Sequence, residues 1–361
     1  MFFVIGFAAG AWAPLVPFAK QRLALSDGAL GLLLVSMGVG SIVAMPLAGA
    51  LAARVGCRRV LIAAAAIACL VFPVLATTTS VPLLAAALFL FGVGNGSLDC
   101  VINVQAIAVE RDAGRTMMSG FHALYSLGGF AGAGAVSGLI GWNVALLGAS
   151  LAVALLMALA TLASTPGLLS RRAEEHHAPF AIPRGAVLMI GVFCFVMFLA
   201  EGSALDWSAV FLRAERHAAP AAAGLGYVAF AVAMTTGRLA GDRVVTRLGL
   251  RRVVIVGALV AAAGLAVATL APGLAAPVVG YALLGAGCSN IVPALFTAIG
   301  RQTDLPESQA VPAVSVLGYA GILAGPAAIG LVASATSLTA ALLAVAALLA
   351  AVAAGATRLR V

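Results

Sequence analysis

Asn95, Asp99 and Asn103 recur every four residues inside the apolar stretch LFLFGVGNGSLDCVINVQAIAV. On a helix that spacing lays the three side chains along one slowly drifting stripe, which Glu110 extends. A charge at the centre of a membrane-spanning helix costs at least about 2.5 to 3.5 kcal/mol on insertion scales, so such residues face a partner or a wet cavity. Asp99 therefore reads as a carboxylate that gains and loses a proton. Asn95 and Asn103 beside it offer amide donors and acceptors to a polar solute. The plainer alternative is an Asp bonded to a neighbouring donor for packing alone. Ser119, His122 and Ser126, spaced i, i+3, i+7, form a second stripe in which His122 relays protons, bonds a substrate or packs between helices. The string AEGSALDWSAV supplies Glu201, a second candidate for proton or substrate binding. It also supplies Trp207, either an interfacial anchor or a flat face for a ligand ring. Asn290 with Thr297, and Ser315 with Tyr319, mark two further polar stripes. Arg238 and Asp242, at i and i+4, are expected to pair and steady one end of their helix.

The elements that hold these residues follow from composition. With 63% hydrophobic and 9% charged residues, the 361-residue chain has too little polar surface to cover a water-soluble body. A bilayer core takes about 20 apolar residues per helical crossing, and the sequence divides into such runs. The predicted spans are 1–19, 28–50, 59–77, 82–107, 117–140, 143–164, 185–212, 222–243, 252–271, 275–299, 310–334 and 337–356. These runs are too long for barrel strands and lack polar alternation, so the fold class is an all-α membrane protein with twelve transmembrane helices. The first segment reads as a retained helix, since it has no basic leader and continues through Pro14 and Pro17.

Three patterns recur at one offset of 193 residues. RVGCRRV at Arg54–Val60 returns as RLGLRRV at Arg247–Val253, Gly92 and Gly94 return as Gly285 and Gly287, and Gly128 and Gly132 return as Gly321 and Gly325. The chain is a duplicated unit: an N-terminal six-helix half, 1–164, a cytoplasmic linker, 165–184, and a C-terminal six-helix half, 185–361. His176 and His177 in the linker read as solvated rather than metal-binding. The 41 glycines, repeatedly four apart, let helix backbones approach closely in lipid.

Placing both termini in the cytoplasm puts fifteen of the twenty basic residues on the cytoplasmic side and only Lys20, Arg22, Arg213 and Arg216 outside. The pI of 9.9 is then a membrane-topology signal and implies no nucleic-acid partner. Cys57, Cys69, Cys100, Cys194 and Cys288 have neither metal-ligand spacing nor a disulfide pattern. No metal or organic cofactor is called for.

Several of these strings resemble the major facilitator superfamily, over essentially the whole chain. Its signature between helices two and three is matched by GALAARVGCRR, Gly49–Arg59, with Ala53 where the family has Asp and Cys57 where it has a basic residue. Within it, the fucose-permease-like branch and related bacterial inner-membrane proteins are similar in the string Leu98–Asn103, in GRLAG at Gly237–Gly241, and in Pro293 followed by Phe296. The resemblance implies two pseudo-symmetric six-helix halves in a bacterial inner membrane, a monomer, and a proton-coupling, sugar-site role for Asp99. The branch's second acid, in helix one, falls at Ala13. Either coupling here uses Asp99 with Glu201 or His122, or the stoichiometry and substrate differ from those of a sugar symporter. Substrate contacts are expected from Asn95, Asn103, Ser126, Trp207, Asn290 and Tyr319, and a cytoplasmic gate from Arg54, Arg58, Glu110, Arg238 and Asp242.

The function so implied is secondary active transport of a small polar solute, sugars being one class, by proton-coupled alternating access with the proton as coupling ion. The alternative on the same fold is a proton-driven efflux antiporter for drugs or metabolites. The proline-bearing glycine motif typical of antiporter helix five is missing from SLGGFAGAGAVSG. An intramembrane enzyme would need Ser119 or Ser126 with His122 as nucleophile and base. A transport-dead sensor would bind without flux.

Overall fold

The computed structural model describes residues 1–170, 182–219, 222–302 and 305–359. Among them are twelve long helices and no strand. They are α1, Phe2–Arg22; α2, Asp27–Val55; α3, Cys57–Thr77; α4, Val81–Ala113; α5, Met118–Gly141; and α6, Leu146–Ser164. The second set is α7, Gly185–Ala214; α8, Leu225–Leu248; α9, Leu250–Leu270; α10, Ala275–Ile299; α11, Glu307–Ala335; and α12, Leu338–Ala356. Eleven of these are long and apolar enough to cross a membrane. The twelfth, α8, has the length but carries Arg238, Asp242, Arg243 and Arg247. Much of the predicted linker, residues 171–181 with His176 and His177, lies outside the described residues.

The chain separates into two compact units. Unit 1 comprises Met1–Ala108, Leu124–Ala181 and Pro306–Pro312, and unit 2 comprises Val109–Ala123, Ile182–Leu305 and Ala313–Val361. The internal repeat is visible in each. Gly56 (φ 90°) is the single residue between α2 and α3, and Gly249 (φ 81°) is the single residue between α8 and α9. A side chain at either φ would meet its own backbone, which explains the glycine at the centre of both RxGxRRV strings. In unit 1, α3 packs on α6, and in unit 2 α9 packs on α12. A Cβ on Gly92 would strike the Met37 carbonyl of α2, and one on Gly285 would strike the Phe230 carbonyl of α8, the same contact 193 residues on. Small residues set these distances, as expected where no water drives helices together.

A further repeat concerns helix ends. In unit 1 the Arg22 guanidinium donates to the carbonyls of Leu75 (3.1 Å), Ala76 (2.7 Å) and Thr78 (2.7 Å) at the C-terminus of α3. In unit 2 Arg216 donates to the carbonyls of Thr269 (2.6 Å) and Ala271 (3.3 Å) at the C-terminus of α9. The last carbonyls of a helix have no partner within it, and a guanidinium supplies several donors against the negative helix end. Arg213 also donates to a backbone carbonyl, that of Ala218, at 2.7 Å. Three of the four basic residues assigned to outer loops therefore hold backbone in place.

Candidate functional site

Unit 2 gathers a polar cluster around a break in α10. The helix runs Ala275–Cys288, is interrupted at Ser289 and Asn290, and resumes as Ile291–Ile299. The Ser289 carbonyl would ordinarily accept from the N–H four residues on, but that residue is Pro293, which has none. Arg238 of α8 takes the vacant place, its Nε 3.4 Å from the Ser289 carbonyl oxygen. The same guanidinium lies 3.7 Å from Glu201 Oε1 of α7, both side chains being largely buried. Asn290 reaches across to α8, its Nδ2 donating to the Gly237 carbonyl (3.0 Å) and to Ser289 Oγ (2.9 Å). The GRLAG string fits here by shape. A Cβ on Gly237 would collide with Ser289 Oγ, and one on Gly241 with Asn290 Oδ1 and the Ser119 side chain.

His122 of α5 is buried in the same unit, its ring centroid 5.9 Å from that of Phe296 on the second segment of α10. It is close enough to Arg238 to interact with that charge. The structure thus brings together Glu201, His122, Arg238 and Asn290, four of the residues singled out by type and spacing, on four different helices. Oxygen Oε1 of Glu201 and Oδ1 of Asn290 are buried without a hydrogen bond among the described residues. Those two atoms are acceptors available to a proton or a polar ligand.

The start of α5 is held by two carboxylates. Glu110 Oε1 accepts the N–H groups of Met117 (2.8 Å) and Met118 (3.2 Å). Asp242 accepts those of Ser119 at Oδ1 (2.9 Å) and Gly120 at Oδ2 (3.0 Å). The four N–H groups that a helix start leaves open are therefore all satisfied by negative charge at the positive helix end. Thr116 Oγ1 adds a bond to the Asp242 carbonyl at 3.1 Å. The i, i+4 reading paired Arg238 with Asp242. The structure gives each its own partner: Arg238 turns to Glu201, and Asp242 to the orphan donors of α5.

In unit 1, α4 presents the stripe Asn95, Asp99, Asn103. Asn103 Nδ2 donates to the Asp99 carbonyl (2.8 Å) and approaches Asp99 Oδ1 (3.4 Å), which fixes the carboxylate against its own helix. Oδ1 of Asn95 and of Asn103 are buried acceptors without a hydrogen bond among the described residues. Ser126 lies partly buried on the unit 1 portion of α5. Arg54 and Arg58 flank the glycine turn after α2, and neither has an acidic partner among the described residues. The remaining candidates lie along α7 and α11 in unit 2. Trp207 packs against Gly330, and its Nε1 has no hydrogen bond among the described residues. Tyr319 meets Phe198 edge to face at 6.1 Å.

Two features escaped the sequence reading. Arg22 and Arg216 were counted as charges in loops, although each stands close to one repeat period from the other. Ser289 was not singled out, although a proline four residues after a serine in an apolar helix predicts a freed carbonyl beside a hydroxyl.

Chemically, unit 2 holds a buried carboxylate and guanidinium beside a helix break, and unit 1 a carboxylate flanked by amide acceptors. A model of the major facilitator superfamily matches residues 1–213. The chain is 50% identical over 341 residues to an uncharacterised MFS-type transporter of Yersinia pestis, covering 94% of this chain and 89% of that one. Its fold is similar to the E. coli fucose:proton symporter, with a TM-score of 0.81 at 17% identity over 100% of this chain and 97% of the other. It is also similar to the human organic anion transporter MFSD10, with a TM-score of 0.76 at 17% identity over 98% and 96% of the two chains. The chain is a multi-pass membrane transporter belonging to the major facilitator superfamily.

Proposed function

We propose that this transporter moves a small polar solute across a bacterial inner membrane by proton-coupled alternating access. The observation that carries the reading is the buried Arg238, shared between Glu201 and the carbonyl that the α10 break leaves open. Discontinuous helices at the centre of transporters place backbone groups where ligands bind. Here the break supplies Ser289 and Asn290, and α7 and α8 supply an acid and a base within ion-pair range. When a proton arrives on Glu201 its attraction for Arg238 is lost, and the guanidinium is released to donate to an oxygen of the solute. When the proton leaves, the ion pair re-forms and competes with the solute. Proton and solute are thereby linked with the sign of symport. On α4, the unbonded amide oxygens of Asn95 and Asn103 offer acceptors for hydroxyl or amide hydrogens, which favours a solute rich in such groups; sugars are one such class.

The paired carboxylates at the start of α5 act as the gate in this reading. They hold α5 to α8 through Asp242, and opening requires that both N–H groups be given up to water.

Proteoliposomes carrying an internal pH indicator test the proposal. Added sugars, polyols or amino acids should acidify the lumen in a solute-specific way, and Glu201→Gln should abolish that signal while retaining solute exchange at equal concentrations. Solute uptake by Glu201→Gln that is still accompanied by protons would sink the role of Glu201. Proton entry coupled only to exit of preloaded lipophilic compounds would replace symport with efflux.

A further inference from the structure

Two adjoining cavities in unit 1 have opposite character. One, of about 290 Å³, is lined by Arg58, Arg59, Ile62 and Ser170 with Val55. The other, of about 550 Å³, shares Val55 and Arg59 with it and continues along Val43, Leu47 and Leu51 of α2 between α3 and α4. Among the described residues, Arg59 at one end and Ser97 are the polar residues lining this second cavity. Val43, Leu47 and Leu51 are about half exposed, so the groove is open along this face of α2. From Val55 to Val43 is twelve residues of helix, or about 18 Å at 1.5 Å per residue. That is slightly more than half of a hydrocarbon core of about 30 Å, which is the depth of one leaflet.

The charged end is equally specific. Gly56 turns the chain so that α3 begins beside the end of α2, with no side-chain cap on its first turn. Neither the Arg58 nor the Arg59 guanidinium has an acidic or hydrogen-bonding partner among the described residues. Arg58, Arg59 and Ser170 line one small cavity, a donor set suited to a phosphate, while the Arg58 N–H at the helix start is already taken by the Leu169 carbonyl at 3.3 Å.

We propose that this composite is a binding site for one anionic glycerophospholipid, its phosphate at Arg58 and Arg59 and one acyl chain in the groove along α2. The charge selects the headgroup and the one-leaflet length selects a lipid over a free anion. Neither Glu201 nor Asp99 lines these cavities, so the proposal does not depend on the substrate.

The test is native mass spectrometry of the full-length protein in detergent, titrated with phosphatidylglycerol or with phosphatidylcholine of the same acyl chains. The expected result is preferential retention of one phosphatidylglycerol. Arg58→Gln with Arg59→Gln should weaken that retention roughly thirtyfold, the size usual for two basic contacts to an anionic headgroup. Ala63→Phe, at an exposed position lining the groove, should weaken both lipids alike while leaving thermal stability unchanged. Arg251→Gln with Arg252→Gln, the corresponding pair in the second half, serves as the charge control and should leave retention intact. Equal binding of the two lipids, an equal loss from the control pair, or full displacement by inorganic phosphate would each overturn the proposal.

Discussion

Removing the Asp242 carboxylate should loosen the start of α5 by an amount that its geometry allows to be worked out. Its two oxygens accept the Ser119 and Gly120 N–H groups at 2.9 and 3.0 Å. A lost hydrogen bond to a charged group costs roughly 1.5 to 3 kcal/mol. Asp242 is only half-buried, so the low end of that range applies after solvent screening. Asp242→Ala then costs about 3 kcal/mol for two bonds. Asp242→Asn keeps one acceptor but loses the charge and one bond, about 1.5 kcal/mol. At about 1.4 kcal/mol per factor of ten, the closed arrangement should lose roughly a hundredfold in Asp242→Ala and about tenfold in Asp242→Asn. Residue-resolved hydrogen exchange reads this directly, as protection of the Ser119 and Gly120 amides should fall by those factors. The Met117 and Met118 amides, held by Glu110, are the internal control and should keep their protection. Ser119 and Gly120 exchanging within twofold of wild type in Asp242→Ala would refute the reasoning, as would an equal rise at all four amides.

Three further perturbations follow from the packing. Arg22→Ala and Arg216→Ala should each lower stability in detergent by about 2 kcal/mol or more, since several carbonyls lose a charged donor; Arg→Lys at either site, with one donor point instead of a fork, should fall between. Gly241→Ala should lower the thermal midpoint although alanine favours helix, because its Cβ meets Asn290 Oδ1 and Ser119 and overpacking of this kind costs about 1 to 3 kcal/mol; an unchanged midpoint would contradict that contact. Pro293→Ala restores the N–H that Ser289 lacks, so it should straighten α10, release Arg238 from the carbonyl and reduce solute uptake without reducing stability. Unaltered uptake would show that the break has no part in transport.

How much of this was legible beforehand depended on whether a signal lay within one helix or between helices. Apolar runs are local, so the helices were placed within a few residues. The main extensions were at the ends of α2 and α8, which run on to their glycine turns, and of α4, where Glu110 is occupied by N–H groups seven and eight residues on. The repeat was legible because Gly56 and Gly249 serve one backbone need twice. The stripe at Asn95, Asp99 and Asn103 was legible because i+4 spacing on α4 survives folding. Partner choice was not. Spacing along α8 suggested Asp242 for Arg238, but the open N–H groups of Ser119 and Gly120, more than 120 residues away in sequence, take that carboxylate instead. The Ser289 carbonyl was invisible for the related reason that only the packed helices show which donor reaches it.

The arginines at the ends of α3 and α9 also constrain how the protein can move. Arg22 binds carbonyls 53 to 56 residues away in sequence, and Arg216 does so 53 and 55 residues away. Each fastens the end of the first helix of its half, or the turn just after it, to the far end of the third, while a single glycine already joins the second helix to the third at the opposite end. The three helices of such a set are tied at both ends and shift as one block. Rearrangement during a transport cycle is then expected to displace whole triplets, with a helix such as α10 bending on its own where its backbone is interrupted at Ser289.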